Sequence, residues 1–175
     1  MREARALLHD AEQRLGAPLL AAARGAWCDG FTTGAAWMRR ALAELRGAEP
    51  TGVASFGALG AAKYGACVAA ACVPVVAARL SGTWWPLVLV VPAFYAVEAQ
   101  MVFLFPVALD GARRPFAAAQ RLVAPAGGTL RVMRTVLRIA VRMLTGGFAG
   151  RGFVRSWCVG CLAVLLWYED VRVRA

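Results

Sequence analysis

The sequence has few of the side chains on which catalysis and metal binding most often depend. Its 175 residues include one histidine, His9, three serines and no asparagine. A single imidazole excludes centres that need several histidine ligands from one chain, such as bis-histidine haem or histidine-rich zinc and di-iron sites. No serine lies in a G-x-S-x-G elbow, and no glycine-rich stretch continues into G-K-S or G-K-T. The sequence therefore supports neither serine-hydrolase nor P-loop nucleotide chemistry.

Charged residues are scarce as well. Only 17% of the residues are charged and 60% are hydrophobic, with a mean hydropathy of +0.58. Soluble domains usually have about a quarter charged and roughly half apolar residues, so this balance excludes disorder and predicts an integral membrane protein. The charge is also one-sided, because Lys63 is the single lysine and arginine supplies nearly all of the net charge of +10.

The first 50 residues differ from the rest of the chain. They carry seven arginines and six acidic residues, so their net charge is +1 and the remaining residues hold +9. Acidic side chains close to the start, with no unbroken apolar segment, do not fit a secretory signal peptide. Apolar residues recur at helical spacing in two stripes: Leu7, Leu8, Ala11 and Leu15, then Phe31, Ala35, Met38, Leu42 and Leu45. Region 1–50 is therefore predicted to form cytoplasmic amphipathic helices, divided near Gly16 and near Asp29.

Region 51–110 contains the two longest apolar runs, residues 53–80 and 84–109. Each exceeds the roughly 20 helical residues that cross a hydrocarbon core of about 30 Å. The short segment between them allows only a tight turn, so the sequence predicts a transmembrane helical hairpin of two spans. Arginines are frequent before and after the hairpin and rare at its turn. This bias indicates that both ends are cytoplasmic and that the protein lies in the cell membrane.

The first predicted span has small residues at every fourth position, namely Gly57, Ala61, Gly65 and Ala69. Such a face lets the backbone of another helix approach closely. The partner of this small-residue face is either the second span of the same hairpin or another membrane protein, including a second copy of this chain.

Two charged residues interrupt the predicted spans. Lys63 lies 18 residues before Ser81, and Glu98 lies 16 residues after Gly82. At about 1.5 Å per helical residue these offsets are roughly 27 and 24 Å, so both side chains are expected at similar depth in an antiparallel pair. An unpaired charge there is costly, which favours an intramembrane ion pair. The alternative is that Glu98 handles a proton or a substrate, as intramembrane carboxylates often do.

Region 111–146 contains the most regular pattern of the sequence. At about 100° per residue, four arginines fall within roughly 80° of one helix circumference, and apolar residues occupy most of the rest. The four are Arg131, Arg134, Arg138 and Arg142. The pattern predicts a basic amphipathic helix at the membrane interface whose arginines bind anionic lipid head groups. The polar arc is too narrow, and its neighbours are too apolar, to favour nucleic acid as the partner.

Region 147–175 has an apolar stretch, residues 157–168, that is too short to span a membrane by itself. The stretch predicts a short C-terminal apolar helix. We expect this helix to be re-entrant or, if it extends further, a third span.

The cysteines offer a separate hypothesis. Cys158 and Cys161 form a C-x-x-C pair, which Cys67 and Cys72 would extend to four thiols. Such a set suits thiol redox chemistry, or a zinc or iron–sulfur site. Buried cysteines more commonly act only as small apolar side chains, so no cofactor is expected.

These patterns together predict an all-α integral membrane protein. Abundant docking surface and few catalytic side chains favour an accessory or assembly subunit, not an enzyme, that packs on a larger membrane partner and binds anionic lipid. One alternative is a membrane enzyme or carrier in which Glu98 and the arginine stripe act on an anionic lipid or small substrate. A second alternative is a thiol-redox or metal-binding membrane protein that uses the C-x-x-C pair.

Overall fold

The structure is a computed structural model in which residues 3–25, 31–52 and 55–174 are described. This part of the chain is helical and contains no β-strand, so the all-α prediction is confirmed for it. The α-helices in these ranges are α1 (Ala4–Arg14), α2 (Ala17–Gly25), α3 (Phe31–Arg46), α4 (Phe56–Ser81), α5 (Val90–Gln100), α6 (Leu104–Leu109), α7 (Pro115–Arg121), α8 (Thr129–Gly146) and α9 (Phe153–Arg172). A 3-10 helix, Trp85–Leu89, precedes α5, and a π-helical turn, Gly147–Arg151, joins α8 to α9.

Helix α9 lies at the centre of a helical body. It contacts α1, α2, α3 and α8, and most of its side chains between Ser156 and Val171 are buried. Trp167 packs edge-on against Phe103, with ring centroids 5.0 Å apart. Helix α9 has 20 residues and is therefore longer than the predicted apolar stretch, residues 157–168. Most of its apolar side chains are covered by the neighbouring helices of the protein. The re-entrant or membrane-spanning placement of this helix stays a prediction.

Three helices precede the hairpin, one more than the two apolar stripes indicated. The first break falls at Gly16, as predicted, while the break expected near Asp29 and the side chain of Phe31 lie outside the described residues. The buried residues of these helices include Leu7, Ala11, Ala35, Ala41 and Leu42. The indole N–H of Trp37 donates to the carbonyl of Leu19 at 2.9 Å and joins α3 to α2. The N-terminal stripes therefore pack inside the body.

Two segments are long and apolar enough to cross a membrane, Phe56–Ser81 and Trp85–Leu109. The first is the single helix α4. Gly82 ends it in the left-handed conformation, with φ 65°, which glycine adopts at little steric cost. The side chains near the turn face outward, and Leu80 and Trp84 are 85% and 76% exposed.

The second segment is composite. The 3-10 helix, α5 and α6 follow one another, with a break at residues 101–103. All side chains from Met101 to Leu109 are buried, because this part of the arm turns into the body beside α9. The exposed part of the second arm therefore ends at about Gln100.

An ionic cluster joins the ends of α3, α6 and α9. The two Nη atoms of Arg46 donate to Asp110 at 2.6 and 3.0 Å, and its Nε donates to Glu169 at 3.0 Å. The hydroxyl of Tyr168 also donates to Asp110, at 2.6 Å, and Arg172 donates to Glu169 at 2.9 Å. Burial opposes ionisation of Asp110, but the hydrogen bonds from Arg46 and Tyr168 outweigh it and hold the pKa of this carboxyl below its usual value.

Replacing Asp110 with asparagine should make the free energy of unfolding less dependent on pH. The pKa of Asp110 is lower in the folded protein than in the unfolded chain, so its stabilisation is fully present well above the ordinary pKa of 3.8 and is lost as the pH falls through the lower, folded value. We expect Asp110→Asn to cost about 1–3 kcal/mol near neutral pH and less in acid. Thermal unfolding of both proteins in one detergent, across the acid range, measures this difference. The prediction would be wrong if the free energies of unfolding of the two proteins changed with pH in parallel.

Candidate functional site

Lys63 on α4 and Glu98 on α5 meet between the two arms of the hairpin. Lys63 Nζ lies 2.8 Å from Glu98 Oε1, and the two side chains are 4% and 13% exposed. The ammonium also lies 5.2 Å from the ring centroids of both Tyr64 and Phe105, and these rings add cation–π attraction. The structure thus brings together the two charges that the sequence placed at similar depth, and it surrounds Lys63 with aromatic side chains.

A cavity of about 610 Å³ lies next to this ion pair. Its wall is formed mainly by α3, α4, α5, α8 and α9. The lining residues that carry polar side-chain groups are Lys63, Tyr64, Tyr95, Glu98, Trp157 and Cys161. The volume lies within the roughly 300–1,000 Å³ that is typical of small-molecule sites. This cavity was not predictable from the sequence, because helices that are distant in sequence form it and no single segment carries its pattern.

Glu98 has acceptor capacity left beside the cavity. Its second carboxylate oxygen, Oε2, receives the thiol of Cys67 at 3.7 Å. A thiol is a weak donor, whereas an ionised carboxylate offers about four acceptor positions. Because Glu98 lines the cavity, this group can accept a hydrogen bond or a proton from a molecule that enters the apolar space.

The four cysteines considered for redox or metal chemistry do not form a common site. Cys158 is buried, Cys161 lies in the cavity wall, Cys67 contacts Glu98 and Cys72 is exposed. Across the described ranges, no group of three or more histidine, cysteine or acidic side chains is arranged to hold a metal ion. Burial raises the pKa of the Cys158 thiol to about 11 and also raises that of Cys161. Both thiols therefore stay protonated and weakly nucleophilic near neutral pH.

The outward side of α8 carries two neighbouring rows of side chains. The arginine row consists of Arg131, Arg134 and Arg138, all exposed. The apolar row consists of Leu130, Leu137, Val141 and Leu144, which are 38% to 78% exposed. At about 100° per residue the two rows are adjacent on the helix, and the residues on its other side, Val132, Val136 and Ile139, are buried. Arg142, the fourth predicted arginine, is half-buried and lies 3.4 Å from Glu12 of α1.

The small-residue face of α4 (Gly57, Ala61, Gly65 and Ala69) is exposed. A Cβ atom added to Gly57 or Gly65 would meet no other atom within 4 Å. The buried residues of α4 lie on the other side of the helix and include Gly60, Lys63, Cys67, Pro74 and Ala78. The second arm of the hairpin is therefore not the partner of the small-residue face, which lies on the outer side of α4.

Comparison of the chain with protein-family models, with curated proteins and with solved structures found no match. The enzyme-or-carrier hypothesis assumed that Glu98 and the arginine stripe act on the same substrate, but the structure places them apart. Glu98 faces the cavity together with Val136 and Ile139 of α8, whereas the arginine row lies on the exposed side of that helix. A small ligand at Glu98 therefore does not contact the arginine row.

Glu98→Gln should lower the free energy of unfolding by about 3 kcal/mol, because it leaves the Lys63 ammonium buried without its counter-ion. Adding Lys63→Met should recover most of this loss, since the buried charge is then removed. Thermal unfolding of both single variants and the double variant measures the coupling.

The matched control is Glu44→Gln, which breaks the exposed pair with Arg40. It should change stability by less than about 1 kcal/mol. If the change in the free energy of unfolding of the double variant equalled the sum of the changes in the two single variants, the charges of Lys63 and Glu98 would not stabilise each other.

Proposed function

We propose that this chain is a membrane-embedded accessory or assembly subunit that inserts its hairpin into the cell membrane and holds anionic lipid against α8. The observation that carries the proposal is the arginine row beside the apolar row on the exposed side of α8. At a bilayer surface, leucine side chains of such a helix reach the acyl region while guanidinium groups reach the phosphates.

The outer surface of the hairpin supports insertion. Apolar residues on it that are more than half exposed include Val68, Val73, Val76, Leu80, Val88 and Val91. Extended apolar surface of this kind marks a contact with lipid or with another protein. Contact with lipid would remove these side chains from water and so gain hydrophobic stabilisation.

The length of the hairpin also fits a bilayer. Ser81 lies 18 residues after Lys63, which is roughly 27 Å of helix against a hydrocarbon core of about 30 Å. In this arrangement the Lys63–Glu98 pair lies near one boundary, and Trp84 and Trp85 lie at the opposite interface, where tryptophan is enriched. The arginine-rich body is then on the cytoplasmic side, as is the N-terminal region.

The small-residue face supports the accessory role. It is exposed on the outer side of α4, where it is available to a helix of a larger membrane protein or to a second copy of this chain. Because the chain has few catalytic side chains, we expect the partner to carry the main activity of the complex.

Replacing Arg131, Arg134 and Arg138 with glutamine should remove the preference for anionic lipid. Each arginine near an anionic surface contributes about 1 kcal/mol, so we expect the affinity for phosphatidylglycerol to fall at least about tenfold. Native mass spectrometry of the full chain in mild detergent, titrated with phosphatidylglycerol and phosphatidylcholine, measures the two affinities. Arg142 is kept because it pairs with Glu12.

A charge-matched control replaces Arg5, Arg14 and Arg174, which are exposed outside α8, with glutamine. This variant should keep the lipid preference. Equal losses in the two triple variants would show that net charge, and not the arginine row, determines lipid binding.

Ala61→Leu combined with Ala69→Leu should release a protein partner, because two larger side chains prevent close helix approach. The measurement is native mass spectrometry of the protein purified in mild detergent from its own membrane. Ala77→Leu is the control, since Ala77 is exposed on α4 and lies about two helical turns beyond Ala69, the last residue of the small-residue face. The accessory-subunit proposal is wrong if the unaltered chain carries neither a second protein nor a second copy of itself.

A further inference from the structure

The cavity beside the Lys63–Glu98 pair takes no part in the proposed anchoring, which uses only outer surfaces of the protein. Its volume of about 610 Å³ lies within the range typical of small-molecule sites, and the cavity is partly open to the surface. A cavity between helices with a few polar groups at one place is the usual form of a ligand site.

Most of the cavity wall suits a hydrocarbon chain. Phe94, Phe105 and Trp157 offer broad apolar surface, and Met38 and Met143 add flexible side chains that adapt to a guest. Small residues in the wall leave space between the helices, namely Gly34, Ala35 and Ala140, whereas Gly160 lets the side chain of Met143 pack against α9. These walls belong chiefly to α3, α5, α8 and α9, so the chain of a guest would lie inside the body.

The polar groups favour a neutral head group. Lys63 is already paired with Glu98 and lies beside two aromatic rings, so its charge is balanced inside the protein. Glu98 lines the cavity, and its carboxylate has acceptor capacity beyond the contacts with Lys63 and Cys67. Its charge disfavours a second carboxylate or a phosphate beside it. A hydroxyl group supplies the donor that Oε2 accepts, without adding charge to the cavity.

We infer that the cavity binds one neutral amphiphile, a single-chain lipid alcohol, whose hydroxyl donates to Glu98 Oε2 and whose hydrocarbon chain lies among α3, α5, α8 and α9. The ligand class is long-chain or isoprenoid alcohols. This binding adds a specific internal lipid site to the proposed surface contact with anionic lipid, and it does not depend on that contact.

Three probes with the same chain test the inference: oleyl alcohol, oleic acid and the corresponding hydrocarbon, cis-9-octadecene. Native mass spectrometry of the full chain in mild detergent, titrated with each probe, gives stoichiometry and affinity. We expect one oleyl alcohol per chain, bound at least about tenfold more tightly than either other probe, because only the alcohol donates a hydrogen bond to Glu98 without adding charge. Absence of saturable one-to-one binding, or equal affinity for the three probes, would overturn the inference.

Two variants locate the site. Ala140→Leu narrows the cavity and should weaken oleyl alcohol binding at least about tenfold, whereas Ala6→Leu, on the exposed side of α1, should leave it unchanged. Glu98→Gln removes the acceptor charge and frees Lys63, so it should reverse the preference from alcohol to acid. Unchanged binding in Ala140→Leu would overturn the inference whether or not the Glu98 variant folds.

The same samples separate this inference from the proposed function. The triple variant of the arginine row should bind oleyl alcohol as the unaltered chain does, and Ala140→Leu should keep the preference for phosphatidylglycerol. If the arginine variant lost both kinds of binding together, the two sites would not be independent and the internal site would be rejected.

Discussion

The buried ion pair between Lys63 and Glu98 constrains the rest of the structure. Two charges withdrawn from water are tolerated only when they meet, so α4 and α5 cannot slide past each other by a helical turn without losing the contact of 2.8 Å. This register brings Cys67 to Glu98 and the ring of Phe105 to Lys63. It also places a carboxylate in the wall of a mainly apolar cavity.

The base of the hairpin is held by the body. Residues 101–109 leave the second arm and become part of the core, where Phe103 packs on Trp167 of α9. The Arg46 cluster follows directly and ties Asp110 to α3 and α9. Buried aromatic and charged contacts in the body therefore fix the base of the two exposed arms. Helix α8 has a double role, since one side closes the cavity and the other carries the two exposed rows.

Some of these features were predictable from short stretches of sequence. The spacing of Lys63 and Glu98 from the turn depends only on helical rise, and the positions of Arg131, Arg134 and Arg138 depend only on helical period. Whether protein or lipid covers α9 was not predictable from its own residues. Its residues are equally apolar whether lipid or protein covers them, and the N-terminal helices that cover them lie more than a hundred residues earlier. The side of α4 that packs against the second arm was also not predictable, because small residues occur on both its inner and its outer side.

Local pattern alone determines that this protein is helical, that its two longest apolar segments form a hairpin, and that its arginines line one side of α8. These properties depend on residues a few positions apart, so neighbouring side chains suffice to produce them. Packing between distant helices decides that α9 is enclosed by protein, which side of α4 remains free, and that Arg46 meets Asp110 and Glu169. Packing between distant helices also creates the cavity beside Glu98, because the cavity is the space left between helices that no single stretch of sequence contains.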